Sequence, residues 1–172
     1  KTGRELYELD DNPNNFYMVG SLGCIASLGL GLALTKKDKK IIIIDGDGSL
    51  LMRMGSMATS AYYNPTNMLH IPLDNNSHDS TGGQSTVSNN TDFISVAASC
   101  GYENSLYSHN LNELKASLLK WKNNQGLTLI YQKIQKFIKK LAESNSLIKT
   151  TKFPDRAHGP RFDHGSLTGK KQ

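Results

Sequence analysis

Two polar segments carry the side chains whose types and spacing most clearly suggest chemistry. Asp47 lies in the first, Asp-Gly-Asp-Gly-Ser at 45–49, and Asn75 lies 28 residues later in the second, Asp-Asn-Asn-Ser-His at 74–78. A carboxylate, an amide oxygen and a backbone carbonyl are hard oxygen ligands of the kind that Mg²⁺ prefers. The glycines of the first segment would let a diphosphate approach the backbone, and a following helix would offer unpaired N–H groups. The two segments together predict a metal and diphosphate site.

An acidic, glycine-containing segment is weak evidence by itself, because Asp-Gly pairs also form ordinary turns. The positions of the two segments distinguish these interpretations. Each segment directly follows a run of residues typical of a β-strand, at 40–44 and at 68–73. In open α/β sheets, ligands bind at the carboxyl ends of the parallel strands. The functional interpretation is therefore favoured over the turn.

Strands and helices are predicted to alternate along the chain. The predicted elements are a loop and helix at 20–34, a strand at 40–44, a helix at 50–63, a strand at 68–73, helices at 92–100 and 112–122, and a strand at 127–131. The isoleucine run of the first strand indicates burial on both faces. Pro72 cannot donate a ladder hydrogen bond, so either the second strand lies near a sheet edge or a bond is missing locally. The alternation is typical of an α/β fold.

The charge of the chain is unevenly distributed. The net charge is +5 over 172 residues, but residues 1–130 carry 10 basic and 12 acidic side chains, whereas residues 131–172 carry 10 basic and 3 acidic ones. We therefore expect a folded domain at 1–134 and a basic, partly disordered C-terminal extension at 135–172. The composition excludes disordered, collagen-like and disulfide-rich classes of protein for the chain as a whole.

The sequence also indicates where the protein works. It has no run of about 18 apolar residues, the length needed to span a membrane, and no signal peptide. Cys24 and Cys100 are not spaced as a metal-binding pair, so buried free thiols in a reducing compartment are expected. We predict a soluble cytoplasmic protein. The chain begins at Lys1 without an initiator Met, so the true N-terminus is expected to be missing.

The residues now described resemble a known family. Gly-Asp-Gly-Ser at 46–49, with Asn75 and Asn76 after the next strand, resembles the signature of thiamine diphosphate-dependent enzymes. The longer segment 46–88 is similar to the phosphonopyruvate decarboxylase family, and residues 2–11, 16–24 and 89–102 strengthen the likeness. The resemblance covers roughly residues 2–134 and implies the C-terminal, diphosphate-binding domain. It implies a three-layer α/β fold with a mainly parallel central sheet flanked by helices.

The resemblance also assigns roles to residues of the site. The implied Mg²⁺ ligands are Asp47, the side chain of Asn75 and the backbone carbonyl of Ser77. The implied diphosphate-binding residues are Gly46, Gly48 and Ser49. The cofactor's pyrimidine and its bent shape would be held by Gly20, Ser21 and Leu22. An alternative for the last three residues is ordinary helix packing.

His78 and Asp79 follow the predicted metal loop, and two interpretations of them stay open. As catalytic residues they would contact the cofactor or close over the substrate. His78 could equally be a solvent-exposed residue at the start of a helix. Two interpretations of Arg53 also stay open, because it would either contact an anionic substrate or lie on a solvated helix face.

The resemblance implies decarboxylation of a 2-oxo acid with thiamine diphosphate and Mg²⁺. The expected reaction converts 3-phosphonopyruvate to phosphonoacetaldehyde and CO₂ in phosphonate biosynthesis. The alternative is a sulfopyruvate decarboxylase beta-type subunit. In this superfamily a glutamate of a pyrimidine-binding domain activates the cofactor, and 172 residues are too few for both domains. We therefore expect a homo- or hetero-oligomer, inactive until a partner subunit or a missing N-terminal half completes it.

A function of another class rests on the C-terminal extension. Lys136, Lys139 and Lys140 could neutralise phosphates of RNA or of an anionic membrane. The extension lacks interleaved aromatic residues and any known nucleic-acid-binding module. The enzyme interpretation is therefore preferred over a non-catalytic basic protein, and neither nucleic acid nor membrane is expected as a partner.

Overall fold

The computed structural model describes residues 2–124 and 126–134. In this part of the chain the helices are α1 (Thr2–Leu9), α2 (Ile25–Thr35), α3 (Asp47–Met52), α4 (Ser56–Tyr63), α5 (Phe93–Cys100) and α6 (Leu111–Asn123). The strands are β1 (Ile41–Gly46), β2 (Met68–Asp74), β3 (Ser77–His78), β4 (Gln84–Ser85), β5 (Asn104–Ser108) and β6 (Thr128–Lys133). A single 3₁₀ turn, Ser88–Asn90, follows β4.

Four strands form one parallel sheet in the order β1-β2-β6-β5, and β3 pairs with β4 in a separate antiparallel hairpin. β1 and β2 are neighbours, with Gly46 opposite Leu73. The residues that follow these two strands therefore leave the sheet at the same edge. The predicted α/β fold with a mainly parallel central sheet is confirmed.

Helices cover both faces of the sheet and form two apolar clusters. In the first cluster, the four helices α2, α3, α4 and α5 pack against one face of the sheet. Its buried members include Leu30, Ile43, Leu50, Met57, Met68, Phe93 and Leu129. The second joins α6 to the other face through Leu69, Ile71, Trp121 and Ile130. Full burial of one such side chain contributes about 1.5–3 kcal/mol. The fold thus has three layers, as expected.

One face of β1 is more exposed than its sequence suggested. Ile42 and Ile44 are 51% and 40% exposed, whereas Leu69 and Ile71, opposite them on β2, are buried. The second cluster, under α6, takes its strand residues from β2, β5 and β6 only. The prediction that β1 is buried on both faces is therefore wrong, because α6 does not reach this strand.

Pro72 lies inside β2, which has neighbours on both sides and is not an edge strand. The ladder between β2 and β6 pairs His70 with Leu129 and next pairs Leu73 with Gln132. The two positions between these pairs are skipped. Of the two sequence interpretations, a local loss of ladder hydrogen bonding is confirmed, because proline has no N–H to donate.

The single helix predicted at 50–63 is wrong in two respects. The helix begins at Asp47 rather than after Ser49, and it is interrupted between α3 and α4. The N–H groups of Arg53 and Met57 bond to carbonyls three residues back, at Leu50 and Met54. These tight turns replace the regular helical pattern around Gly55, a residue with low helix propensity.

Most of the remaining predicted helices and strands are confirmed. α5, α6 and β6 agree with the predicted elements, while β5 was missed because its residues, Asn-Ser-Leu-Tyr-Ser, lack an apolar run. Cys24 and Cys100 are free, as expected, but only partly buried. None of the described helices is long and apolar enough to cross a membrane. The predicted basic extension at 135–172 lies outside the described residues.

Candidate functional site

The first polar segment forms the turn between β1 and α3. Gly46 ends the strand and is the N-cap of the helix, with extended backbone angles of φ −97° and ψ 153°. Asp47 is the first helical residue, and it is only 2% exposed. Ser49 follows, with its hydroxyl oxygen accepting a hydrogen bond of 2.8 Å from the Gly23 N–H. The segment thus holds two buried carboxylates, that of Asp45 in β1 and that of Asp47 at the start of α3.

The charge of Asp47 is poorly compensated by the protein itself. Burial raises the pKa of Asp47, and the neighbouring Asp74 carboxylate adds to this effect. Hydrogen bonds from the Thr86 hydroxyl and the Gly48 N–H act in the opposite direction. A bound cation at this position would offset both the burial and the repulsion between the two carboxylates.

The second polar segment is a turn that leaves β2. The Asn75 Oδ1 atom accepts a hydrogen bond of 3.0 Å from the Ser77 N–H. Its Nδ2 atom donates a hydrogen bond of 2.8 Å to Asp79. Asn76 has a left-handed backbone, with φ +52°. A carbonyl oxygen has two lone pairs, so Asn75 Oδ1 retains acceptor capacity for a metal ion.

Two hydroxyl groups that the sequence did not single out connect these segments. Thr86, just after β4, donates a hydrogen bond to Asp47 Oδ2. Ser88 donates a hydrogen bond of 2.9 Å to Asp74 Oδ1. The two hydroxyl oxygens lie 3.0 Å apart, and both lie within 3.2 Å of Asn76 Oδ1. The segment after the hairpin therefore ties the Asp47 turn to the Asn75 turn.

Asp74 is the centre of this buried network, and it too was missed. Its Oδ1 atom accepts from the Asn76 N–H at 2.6 Å, and its Oδ2 atom accepts from Tyr131 and, at 3.1 Å, from Lys133. Burial alone would raise the pKa of Asp74, but the hydrogen bonds from Tyr131, Asn76, Lys133 and Ser88 outweigh it, and the pKa is lowered. Asp74 is therefore held as a carboxylate. The only sequence signal for a role of Asp74 in the site was its position at the end of a predicted strand.

The loop predicted to bind the pyrimidine lies beside the turn formed by residues 46–49, named the diphosphate turn after its predicted role. Gly20, Ser21 and Gly23 have φ angles of +75°, +50° and +84°, and the left-handed backbone of Ser21, which is not a glycine, is strained in a way that is common at functional sites. A Cβ atom on Gly23 would lie 2.8 Å from the Ser49 carbonyl oxygen. The close approach therefore requires glycine. Leu22 is 45% exposed on this loop, so it is not a packed helix residue.

His78 and Asp79 belong to the same group of residues. His78 lies in β3, opposite Gln84 of β4, and not at a helix start. Its imidazole ring occupies the space beside Gly48, where an added Cβ atom would lie 2.4 Å from the ring. Asp79 bonds Asn75 as described. The interpretation of His78 as an exposed helix-start residue is therefore wrong. Arg53 is exposed, with its Cγ atom against Gly23.

The donors present fit a Mg²⁺ ion bearing a diphosphate. Asp47 supplies a buried carboxylate, Asn75 an amide oxygen and Ser77 a backbone carbonyl, which are oxygen ligands suited to this ion. In residues 2–124 and 126–134, no group of three or more His, Cys, Asp or Glu side chains could hold a metal ion.

Comparison with known proteins identifies the family. Residues 4–131 match the model of the C-terminal TPP binding domain of thiamine pyrophosphate enzymes. The chain belongs to this family. Thiamine pyrophosphate is the same compound as thiamine diphosphate, so the resemblance drawn from the polar segments is confirmed. Solved structures agree: a benzoylformate decarboxylase from Polynucleobacter necessarius has a TM-score of 0.61 at 21% identity, covering 73% of this chain and 26% of that one.

Relatives of this thiamine pyrophosphate enzyme domain include two kinds of decarboxylase. The phosphonopyruvate decarboxylase of Streptomyces hygroscopicus is 47% identical over 78% of this chain and 33% of its own length. The sulfopyruvate decarboxylase subunit beta of Methanocaldococcus jannaschii is 48% identical over 58% of this chain and 53% of its own length. The chain thus spans about a third of the phosphonopyruvate decarboxylase and about half of the beta subunit.

Proposed function

We propose that this chain is the diphosphate-binding part of a thiamine diphosphate-dependent decarboxylase that converts 3-phosphonopyruvate to phosphonoacetaldehyde and CO₂. The similarity to phosphonopyruvate decarboxylases, which extends over 78% of the chain, carries the proposal. In this proposal residues 1–134 form the cofactor domain and residues 135–172 a basic extension. When bound, thiamine diphosphate supplies the electron sink for the loss of CO₂ from a 2-oxo acid.

The polar turns would hold the metal and the diphosphate. Asp47, the Asn75 amide oxygen and the Ser77 carbonyl are the proposed Mg²⁺ ligands. The diphosphate would lie against the backbone of residues 46–49, where Gly46, Gly48 and the Ser49 hydroxyl are available. The buried Asp47 and the Asp74 carboxylate beside it support this role, because their combined negative charge favours a divalent cation.

The remaining predicted residues would orient the organic part of the cofactor and the substrate. Gly20 and Ser21 belong to the strained loop beside the diphosphate turn, and exposed Leu22 offers an apolar surface to the bent cofactor. The His78 imidazole, which lies against Gly48, can donate a hydrogen bond to a diphosphate or substrate oxygen. Asp79 would act through Asn75, whose amide group it fixes.

We also propose that a pyrimidine-binding domain, on a separate subunit or in a longer chain, completes the site in an oligomer. Large apolar side chains are exposed on segments around the polar turns; they are Val19 at 95%, Leu22 at 45%, Met52 at 54% and Val87 at 63%. Large exposed apolar side chains of this kind can be buried by association with another protein surface. The chain alone is then expected to lack decarboxylase activity.

The substrate can be tested directly against the second candidate, sulfopyruvate. This candidate rests on the similarity to the sulfopyruvate decarboxylase subunit beta. The completed enzyme, supplied with Mg²⁺ and thiamine diphosphate, should release CO₂ faster from 3-phosphonopyruvate than from sulfopyruvate. A clear preference for sulfopyruvate would replace the first assignment with the second, and turnover of neither acid would contradict both.

Cofactor binding can be tested on the 172-residue chain without its partner. Isothermal calorimetry should detect thiamine diphosphate binding that requires Mg²⁺. Asp47→Ala should abolish it, whereas Asp38→Ala, which removes an exposed carboxylate next to Lys39, should leave the affinity unchanged. Equal affinities for the Asp47 and Asp38 variants would remove the metal assignment.

A further inference from the structure

In the part of the chain that the structure describes, the Tyr131 hydroxyl is one of four groups that donate hydrogen bonds to the Asp74 carboxylate. Tyr131 lies on β6, next to the end of β2, and is 7% exposed. It donates a hydrogen bond to Asp74 Oδ2. Its ring packs against Phe93 at 5.6 Å and Tyr107 at 5.1 Å between ring centroids. Packing on two sides fixes where the hydroxyl points.

The other contacts of Asp74 lead to the proposed metal ligands. Oδ1 accepts from the Asn76 N–H and the Ser88 hydroxyl, at 2.6 and 2.9 Å. Asn76 lies between Asn75 and Ser77, so its position sets both proposed ligands. The Ser88 hydroxyl also contacts the Thr86 hydroxyl, which donates a hydrogen bond to Asp47. A shift of the Asp74 carboxylate would therefore disturb all three proposed ligands.

Of the two donors to Asp74 Oδ2, Tyr131 is better placed to fix the carboxylate. The Lys133 side chain is 42% exposed, and its ammonium group also donates to Asn89 at 3.1 Å. A long, partly solvated side chain adapts to small movements of its partner. The Tyr131 ring cannot move in this way without disrupting its packing against Phe93.

We infer that Tyr131 is a positioning residue for the Mg²⁺ site, acting through Asp74 on the turn that presents Asn75 and Ser77. The inference rests on the proposed function, because it concerns how the metal ion is held. Tyr131 itself touches neither the proposed ligands nor the diphosphate turn in the contacts described above. Groups that orient metal ligands in this way typically change metal affinity by tenfold or more when removed.

The test uses the full chain and compares two buried phenols. Tyr131→Phe removes the hydroxyl and keeps the ring, and Tyr102→Phe makes the same change at a residue that is 6% exposed and belongs to the same apolar cluster. Calorimetry at fixed thiamine diphosphate gives the Mg²⁺ concentration for half-saturation. Tyr131→Phe should raise that concentration about tenfold, with thiamine diphosphate binding recovered at saturating Mg²⁺. Tyr102→Phe should change it less than about twofold.

Ser88→Ala provides a second variant that leaves β6 intact. It removes the hydroxyl donor to Asp74 Oδ1 and should raise the Mg²⁺ requirement in the same direction. Equal Mg²⁺ requirements for Tyr131→Phe and Tyr102→Phe would overturn the inference, as would a loss of binding that excess Mg²⁺ does not restore. If Tyr131→Phe does not fold, an unchanged Mg²⁺ requirement in Ser88→Ala overturns it. A wild-type chain that binds no thiamine diphosphate would instead contradict the proposed function, and the inference with it.

Discussion

The Gly23 N–H donates a 2.8 Å hydrogen bond to the Ser49 hydroxyl, and this contact joins two segments that lie 26 residues apart. Gly23 ends the strained loop that precedes α2, and Ser49 lies in the first turn of α3. The two loops are therefore in direct contact. In the proposed function, the diphosphate of the cofactor and its ring system would be held on these two neighbouring segments.

Gly23→Ala should separate these loops. The added Cβ atom would meet the Ser49 carbonyl oxygen at 2.8 Å, and the φ of +84° is unfavourable for alanine. We expect the free energy of unfolding to fall by about 1–3 kcal/mol and the affinity for thiamine diphosphate to fall with it. Gly31→Ala in α2 is the control, because its Cβ would meet nothing within 4 Å. Urea unfolding and calorimetry check both variants, and equal stability of the two would contradict the prediction.

His70→Leu should be strongly destabilising. His70 is fully buried on β2, with its Nε2 atom 3.6 Å from Asp45 Oδ2, and the Asp45 side chain is only 2% exposed. Replacing His70 by an apolar residue removes the polar group that faces the buried Asp45 Oδ2 atom, and a buried polar group left without a partner typically costs about 1–3 kcal/mol. Urea unfolding measures the loss. Adding Asp45→Asn to His70→Leu should recover part of it, because the buried carboxylate is then replaced by a neutral amide, and a double variant less stable than His70→Leu would contradict the prediction.

Asp47→Asn should stabilise the metal-free chain near neutral pH while it weakens Mg²⁺ binding. Because the pKa of Asp47 is raised by burial and by Asp74, the folded state binds more protons than the unfolded state just above the usual aspartate range. Stability contributed at this site is present at low pH and falls as the pH rises through the folded pKa. Asp47→Asn cannot ionise at this position, so its free energy of unfolding at pH 7 should exceed that of the wild type by about 1 kcal/mol.

Thermal unfolding between pH 4 and pH 8, without Mg²⁺, measures the effect of Asp47→Asn. The stability difference between variant and wild type should grow in favour of the variant as the pH rises. Saturating Mg²⁺ and thiamine diphosphate should reverse the order, because only the wild type gains stability from binding. A variant less stable than the wild type at pH 7 in the absence of metal would contradict the assigned direction.

His78→Ala should weaken thiamine diphosphate binding about tenfold at saturating Mg²⁺, since a hydrogen bond to a charged group contributes roughly 1.5–3 kcal/mol. The His78 ring lies against Gly48 in the diphosphate turn. His109→Ala, at an exposed histidine before α6, is the matched control and should bind as the wild type does. If calorimetry gives the same affinity for both variants, His78 does not contact the diphosphate.

The sequence allowed the outline of the site to be predicted, because that outline depends on chain direction and strand order. Asp47 and Asn75 each follow a strand, and neighbouring parallel strands bring such residues to one edge. His78 and Asp79 follow from their nearness to Asn75. Which of these residues bind metal or cofactor stays a prediction.

The network behind the site could not be predicted in this way. Asp74 and Tyr131 are 57 residues apart, and Thr86 and Asp47 are 39 apart. Such contacts depend on side-chain packing between distant elements and leave no periodic pattern in the sequence. β5 was missed for a related reason, because its polar residues take strand form through pairing with β6 rather than through their own propensity.

The exposed isoleucines of β1 have a consequence for handling the chain in solution. Ile42 and Ile44 present an apolar surface on an end strand of the described sheet. An apolar end strand is a template on which further chains can add as strands. Solubility of the chain should therefore depend on this strand. Ile42→Lys should raise the concentration at which light scattering first appears.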